Sequence, residues 1–424
     1  MFIILAYIFS LIAIFLAIKL HDKYDPARYF SIFWGVQVIF IYAFFHNNFL
    51  FSTYGLVYIS IACLIFSVGT LFGRLLGVYI PSRIYSHAFH HKRALFFLKV
   101  CIGISLINVV QGIYANGFNI LQILSFKILL ELNNAAAVNR YTTNTPSNII
   151  SQITLIFVYL TPLYGGYLLP LLSGKKKYWC YLSIIPALLI TLTQAVKLGF
   201  ITSVALWCIG VLVSAYANNN TFLKIRMATV LKVSLFSISF FVILFLSMMF
   251  RTGKFDMTTI HVISGKFINY AFGHLPAFDI WFSNNIGDIK PTGGVKSFYG
   301  ISNYLGLVER KQGVFSEFSQ YGKNNYSGLS TNVYTMFRFI LEDFGFLGSL
   351  LMIFLSGTIS GYSWLMVKKQ TNILLFQTIL IAMLFFVSMS FATSVWAYTS
   401  YIAMIVLMYF LLLFSFYKLK TENI

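Results

Sequence analysis

In residues 331–348, TNVYTMFRFILEDFGFLG, one tyrosine, one arginine and two carboxylates stand at the head of an apolar run. Tyr334, Arg338 and Glu342 recur every fourth residue, so a helix places them on one face. A guanidinium there offers paired hydrogen bonds to a phosphate or a carboxylate. Glu342 and Asp343 place two carboxylates beside it. The same acids also have a structural reading, because carboxylates near a helix N-terminus complement its dipole. Arg338 likewise has the options of pairing with Glu342 or snorkelling to an interface.

Three more cations fall at the ends of apolar runs: Lys197 in TLTQAVKLGFITS, Arg251 in MMFRTGK and Arg140 in NNAAAVNRYTTN. A charge at that depth is costly unless it snorkels or finds a partner. Together with Arg338 they predict a basic rim at one membrane boundary, suited to a lipid-linked phosphate or pyrophosphate. His274, in FGHLPAFD, reads either as a general base or as a structural loop histidine. SHAFHHKR (86–93) has the look of a metal cluster but lacks a nearby carboxylate or cysteine. It reads as a solvated basic loop against anionic lipid. No metal and no cofactor are expected, and no Gly-rich phosphate loop is present. Tyrosine, phenylalanine and tryptophan crowd residues 270–326; they suit sugar rings, or an interfacial belt.

These residues need a membrane scaffold. Of 424 residues, 59% are hydrophobic and 10% charged, far below the charge of a soluble domain, about 25%. Recurrent apolar stretches rich in Leu, Ile and Phe predict an all-α polytopic integral membrane protein forming a single domain over 1–424. Eleven spans are expected: 2–20, 30–46, 53–73, 94–114, 149–172, 179–195, 199–216, 229–250, 343–367, 372–392 and 396–417. The net charge of +19 reflects basic loops that set orientation and does not imply nucleic acid. Those loops place the N-terminus outside and the C-terminus in the cytoplasm. Two long outside segments remain, 115–148 and a larger loop at 251–333. Within the larger loop, 259–282 lies on or dips into the membrane, since a crossing there would export Lys368, Lys369 and the C-terminal KLK. The stretch 118–132 predicts an interfacial helix. Cys63, Cys101, Cys180 and Cys208 lie in separate spans, so no disulfide is expected. No cleaved signal peptide is expected either.

Asn332-Val333-Tyr334-Thr335 running into Asp343-Phe344-Gly345, before the last three spans, resembles the Wzy family of O-antigen repeat-unit polymerases. Gly273, Ala277 and Phe278 resemble that family's Gly-x-x-x-Ala-Phe pattern. Lys197 stands where a family segment usually carries Arg, and Arg140 resembles another family arginine. The resemblance implies a metal-independent glycosyltransferase of the bacterial inner membrane. It would move a glycan from undecaprenyl pyrophosphate to the terminal sugar of another lipid-linked unit on the periplasmic face. A chain-length regulator and a flippase would be its partners. Glu342, Asp343 and His274 would then be catalytic, and Arg140, Lys197, Arg251, Arg338 and Tyr334 would bind substrate. An O-antigen ligase is the nearest alternative. A lipid-linked oligosaccharide flippase is one of a different class, although such transporters usually show internal repeats and short loops.

Overall fold

The computed structural model describes residues 2–80, 87–142, 148–194, 196–219, 242–249, 257, 263, 269, 271–309, 314–315, 317–324, 328–369 and 373–418. Its helices are α1 (Phe2–Leu20), α2 (Pro26–Phe45), α3 (Tyr54–Val78), α4 (His91–Ala115), α5 (Phe126–Thr142), α6 (Ile149–Leu168), α7 (Lys177–Leu182), α8 (Ile185–Gln194), α9 (Lys197–Asn219), α10 (His274–Asn285), α11 (Tyr299–Tyr304), α12 (Met336–Lys368), α13 (Ile373–Met389) and α14 (Thr399–Ser415). Seven of these, α1, α2, α3, α4, α6, α9 and α12, are long and apolar enough to cross a membrane. Among the described residues, strand is confined to short ladders, pairing β1 (His87–Phe89) with β4 (Phe416–Lys418) and β2 (Ser319–Gln320) with β3 (Ser330–Thr331). The chain is an α-helical membrane protein.

Helix α1 shows why. Its buried face is Ala6, Ser10, Ala13 and Ala17, while Ile4, Ile8, Leu11 and Phe15 are exposed. Small residues inside and large apolar ones outside suit a lipid solvent.

The chain gathers into two compact units. The first holds residues 1–85 and 267–402; the second holds 86–266 and 403–424. In the first unit, α3 and α12 pack closely through two matched glycine pairs. A Cβ on Gly69 or Gly73 would lie 2.2 Å from the Phe354 carbonyl oxygen or 2.0 Å from that of Thr358. On Gly357 or Gly361 it would lie 2.3 Å from the Phe66 oxygen or 2.0 Å from that of Thr70. Each helix thus carries a small-xxx-small face against the other's backbone. Tyr58 donates to Ser349 Oγ at 2.7 Å near the start of this contact. Contacts advance in the same direction along both helices, so they run parallel. Helix α10, which begins inside the expected stretch 259–282, has 12 residues, about 18 Å; most of the stretch before it lies outside the described residues.

In the second unit, α6 and α9 approach antiparallel, with Gly166 against the Trp207 carbonyl and Gly210 against that of Leu163. The expected span 179–195 is instead two short helices, α7 and α8. Pro186 has no N–H for the Leu182 carbonyl, and the helix breaks there. The expected interfacial helix at 118–132 also divides: Ile120–Leu124 is a 3-10 turn closed by an Asn119–Gln122 capping box, and α5 starts afterwards. Of SHAFHHKR, residues 87–89 form β1, and His90 Nδ1 accepts from the Arg93 N–H, capping α4. That stretch is therefore partly a strand and a helix cap. Of the expected span 229–250, only 242–249 falls among the described residues. The cysteines are free.

Candidate functional site

Helix α12 is 33 residues long, about 50 Å, which exceeds one membrane crossing. Gly345 breaks it, with φ 67° and ψ −173°. This backbone conformation favours glycine because it has no Cβ. Residues 346–368, about 34 Å, make the membrane-length segment. The charges at the head of the apolar run lie on a separate short helix before the break, and the sequence placed the start of the span too early by including Asp343 in it.

Phe337 and its neighbours bury this short helix. Its ring meets Trp34 at 5.0 Å, Tyr58 at 5.8 Å and Phe278 at 5.8 Å. Helix α10 is itself tied down by Asp279, which is fully buried. The Asp279 carboxylate accepts from the backbone N–H groups of Ser52, Thr53 and Gly55 at 2.7, 2.8 and 2.7 Å. The Thr53 and Gly55 N–H groups are orphan donors at the start of α3, and Thr53 contributes no side-chain cap of its own. Asp279 supplies the missing cap from another element.

Arg338 is 3% exposed. Its Nε donates to Glu342 Oε1 at 2.7 Å, and its Nη2 to Glu317 Oε2 at 2.9 Å. The guanidinium carbon lies 4.0, 4.1 and 4.8 Å from the ring centroids of Phe315, Tyr334 and Trp281. Burying a cation costs several kcal/mol without compensation; two carboxylates and three aromatic faces supply it here. Nη1 is buried and has no hydrogen-bond partner among the described residues. Arg338, Glu317, Glu342, Trp281 and Phe315 all border one cavity of about 560 Å³, a size typical of ligand sites.

The other expected residues separate by role. Tyr334 is buried, and its hydroxyl donates to the Glu317 carbonyl at 3.1 Å while also meeting Ser319 Oγ at 3.0 Å. It holds the loop that carries Glu317 and gives Arg338 a ring to rest on. Asp343 does not border the cavity. Its oxygens accept from the Thr292 hydroxyl and from the backbone N–H groups of Lys296 and Ser297. It fastens the loop that brings Thr292 and Lys296 to the cavity. His274 is 2% exposed, packed on the rings of Trp34 and Phe391, and neither ring nitrogen has a hydrogen-bond partner among the described residues. Burial pushes its pKa down to about 4. It stays neutral at pH 7 and does not border the cavity, so a proton-transfer role there lacks a geometric basis. Lys197 opens α9 and is half-buried in the second unit; Arg140 lies on α5 of that unit. Arg251 lies outside the described residues. Among the described residues, no group of three or more His, Cys, Asp or Glu is placed to hold a metal.

Glu317 is the residue that sequence reasoning missed. It sits 21 positions before Arg338, and only tertiary folding brings them together. No family model, no curated protein and no solved structure matches the chain.

Proposed function

We propose that this protein is a surface-polysaccharide (O-antigen) polymerase. It joins undecaprenyl-pyrophosphate-linked repeat units on the periplasmic face of the inner membrane, with its N-terminus periplasmic and its C-terminus cytoplasmic. The observation that carries the reading is the Arg338 cavity. A membrane protein holds a buried guanidinium between two carboxylates, beside aromatic walls. Aromatic faces and carboxylates together suit saccharide rings and hydroxyls.

In the proposed step, the anomeric C–O bond to pyrophosphate breaks and the electron pair leaves with the lipid pyrophosphate. The acceptor hydroxyl oxygen forms the new glycosidic bond. Its proton passes to Glu342, the expected catalytic carboxylate that borders the cavity, and from there to water. Lys197, Arg140 and Arg251 keep the phosphate-binding role that the family resemblance implies for them.

The test is deletion of the gene followed by gel analysis of surface lipopolysaccharide, with the wild-type copy restored as control. Loss of the ladder with a single repeat unit left on the core supports the polymerase. Bare core with lipid-linked polymer accumulating would point to a ligase. Bare core with single units stranded in the cytoplasmic leaflet would point to a flippase.

A further inference from the structure

We infer that the Arg338 cavity is the subsite for the acceptor's terminal saccharide and that the pyrophosphate binds elsewhere. This rests on the polymerase reading and divides its two ligands.

Charge decides between them. The described lining holds four carboxylates, Asp288, Glu309, Glu317 and Glu342, against three cations, Lys290, Lys296 and Arg338. Arg338, the deepest cation, is already paired twice, at 2.7 and 2.9 Å. A pyrophosphate diester entering here would have to displace a carboxylate from Arg338 or sit against it, and like charges at that range repel. A saccharide has no such conflict. Its hydroxyls donate to Glu317 and Glu342. Its apolar ring faces meet Trp281 and Phe315. The donor sugar is joined directly to pyrophosphate, so its pocket must offer cations. The acceptor reacts at its other end, a whole repeat unit away from its own phosphates. A described lining with carboxylates in excess matches that end. Glu317 would close on the sugar: its side chain is 72% exposed, so it can let go of Arg338 and return at little steric cost.

The full-length protein in lipid nanodiscs would be examined by saturation-transfer NMR with two probes. One is the oligosaccharide freed from the cell's own lipid-linked units by mild acid, which removes the pyrophosphate. The other is inorganic pyrophosphate. The oligosaccharide is expected to bind the wild type, and Glu317→Gln to weaken it about tenfold, the loss of one charged hydrogen bond. Trp281→Phe provides a second, conservative variant with a reduced stacking face, and weaker oligosaccharide binding is expected. Inorganic pyrophosphate should leave the signal unchanged. Displacement of the oligosaccharide by pyrophosphate would overturn the assignment, as would unchanged affinity in both variants or no binding at all. If deletion of the gene removes the ladder and any of these results appears, the acceptor assignment fails while the polymerase reading stands. A ladder that survives deletion fails both.

Discussion

Among the described residues of the first unit, two arginine–carboxylate clusters lie near opposite ends of α12, and they behave differently. Near its end, Arg74 pairs with Asp25 and lies 4.5 Å from the Trp364 ring centroid. Asp25 is fully buried, caps α2 through Ala27 N–H at 2.8 Å, and meets His21 Nδ1 at 3.0 Å. His21 Nε2 in turn meets Ser67 Oγ at 2.6 Å. Ser67, His21 and Asp25 thus form a nucleophile–base–acid chain, but all are closed off, at 1%, 3% and 0% exposure. Near the start of α12, Arg338 has a partner on a loop, Glu317, and a cavity beside it. The lesson is that a buried ion pair marks a site only where one partner can leave. Where every partner belongs to a helix or its cap, the same chemistry fastens spans together.

Breaking each cluster separates these roles. Arg74→Gln should cost 3–5 kcal/mol, roughly the penalty of leaving Asp25 charged and alone. It should be seen as a lowered Tm and less folded protein, with the ladder shortened only in proportion to protein amount. Adding Asp25→Asn to it should recover much of that loss. Arg338→Gln should reduce polymer yield per folded protein by about 10²-fold, with Glu342→Gln acting in the same direction. An unchanged ladder in Arg338→Gln would place both clusters in the structural class.

His274 sharpens the contrast through pH. Its folded pKa, about 4, is below the ordinary value of 6.5, so between these the unfolded chain binds more protons. Stability therefore falls as pH drops through that window, by on the order of 3 kcal/mol at its foot. His274→Leu should flatten the dependence of Tm on pH between 6.5 and 4. The smallest effect is expected at Gly345. An alanine there has room, since Pro291 Cγ is 3.6 Å from the added Cβ, but it must hold a positive φ, at a cost of about 1–2 kcal/mol. A Tm drop without loss of saccharide binding would show that the bend and the cavity are separable.

Hydropathy made the membrane helices legible, because lipid demands continuous apolar runs with internally paired backbone. The charged face of Tyr334, Arg338 and Glu342 was legible for a local reason, its helical spacing. Glu317 and the cap by Asp279 were not, since their partners lie 21 and more than 220 positions away. The glycine pairs stood in the sequence at matched spacing, GTLFG and GTISG, but nothing local says which helix each should meet. The bend at Gly345 was missed because Phe-Gly-Phe continues the apolar run without interruption.

That bend also bears on how the chain is made. A charged residue at the centre of an inserting helix raises its insertion free energy by about 2.5–3.5 kcal/mol. With Arg338, Glu342 and Asp343 ahead of Gly345, residues 346–368 reach the insertion machinery as an uncharged segment until Lys368. The machinery can release that segment sideways into lipid by its own hydrophobicity, while the charged turn folds afterwards against α2, α3 and α10.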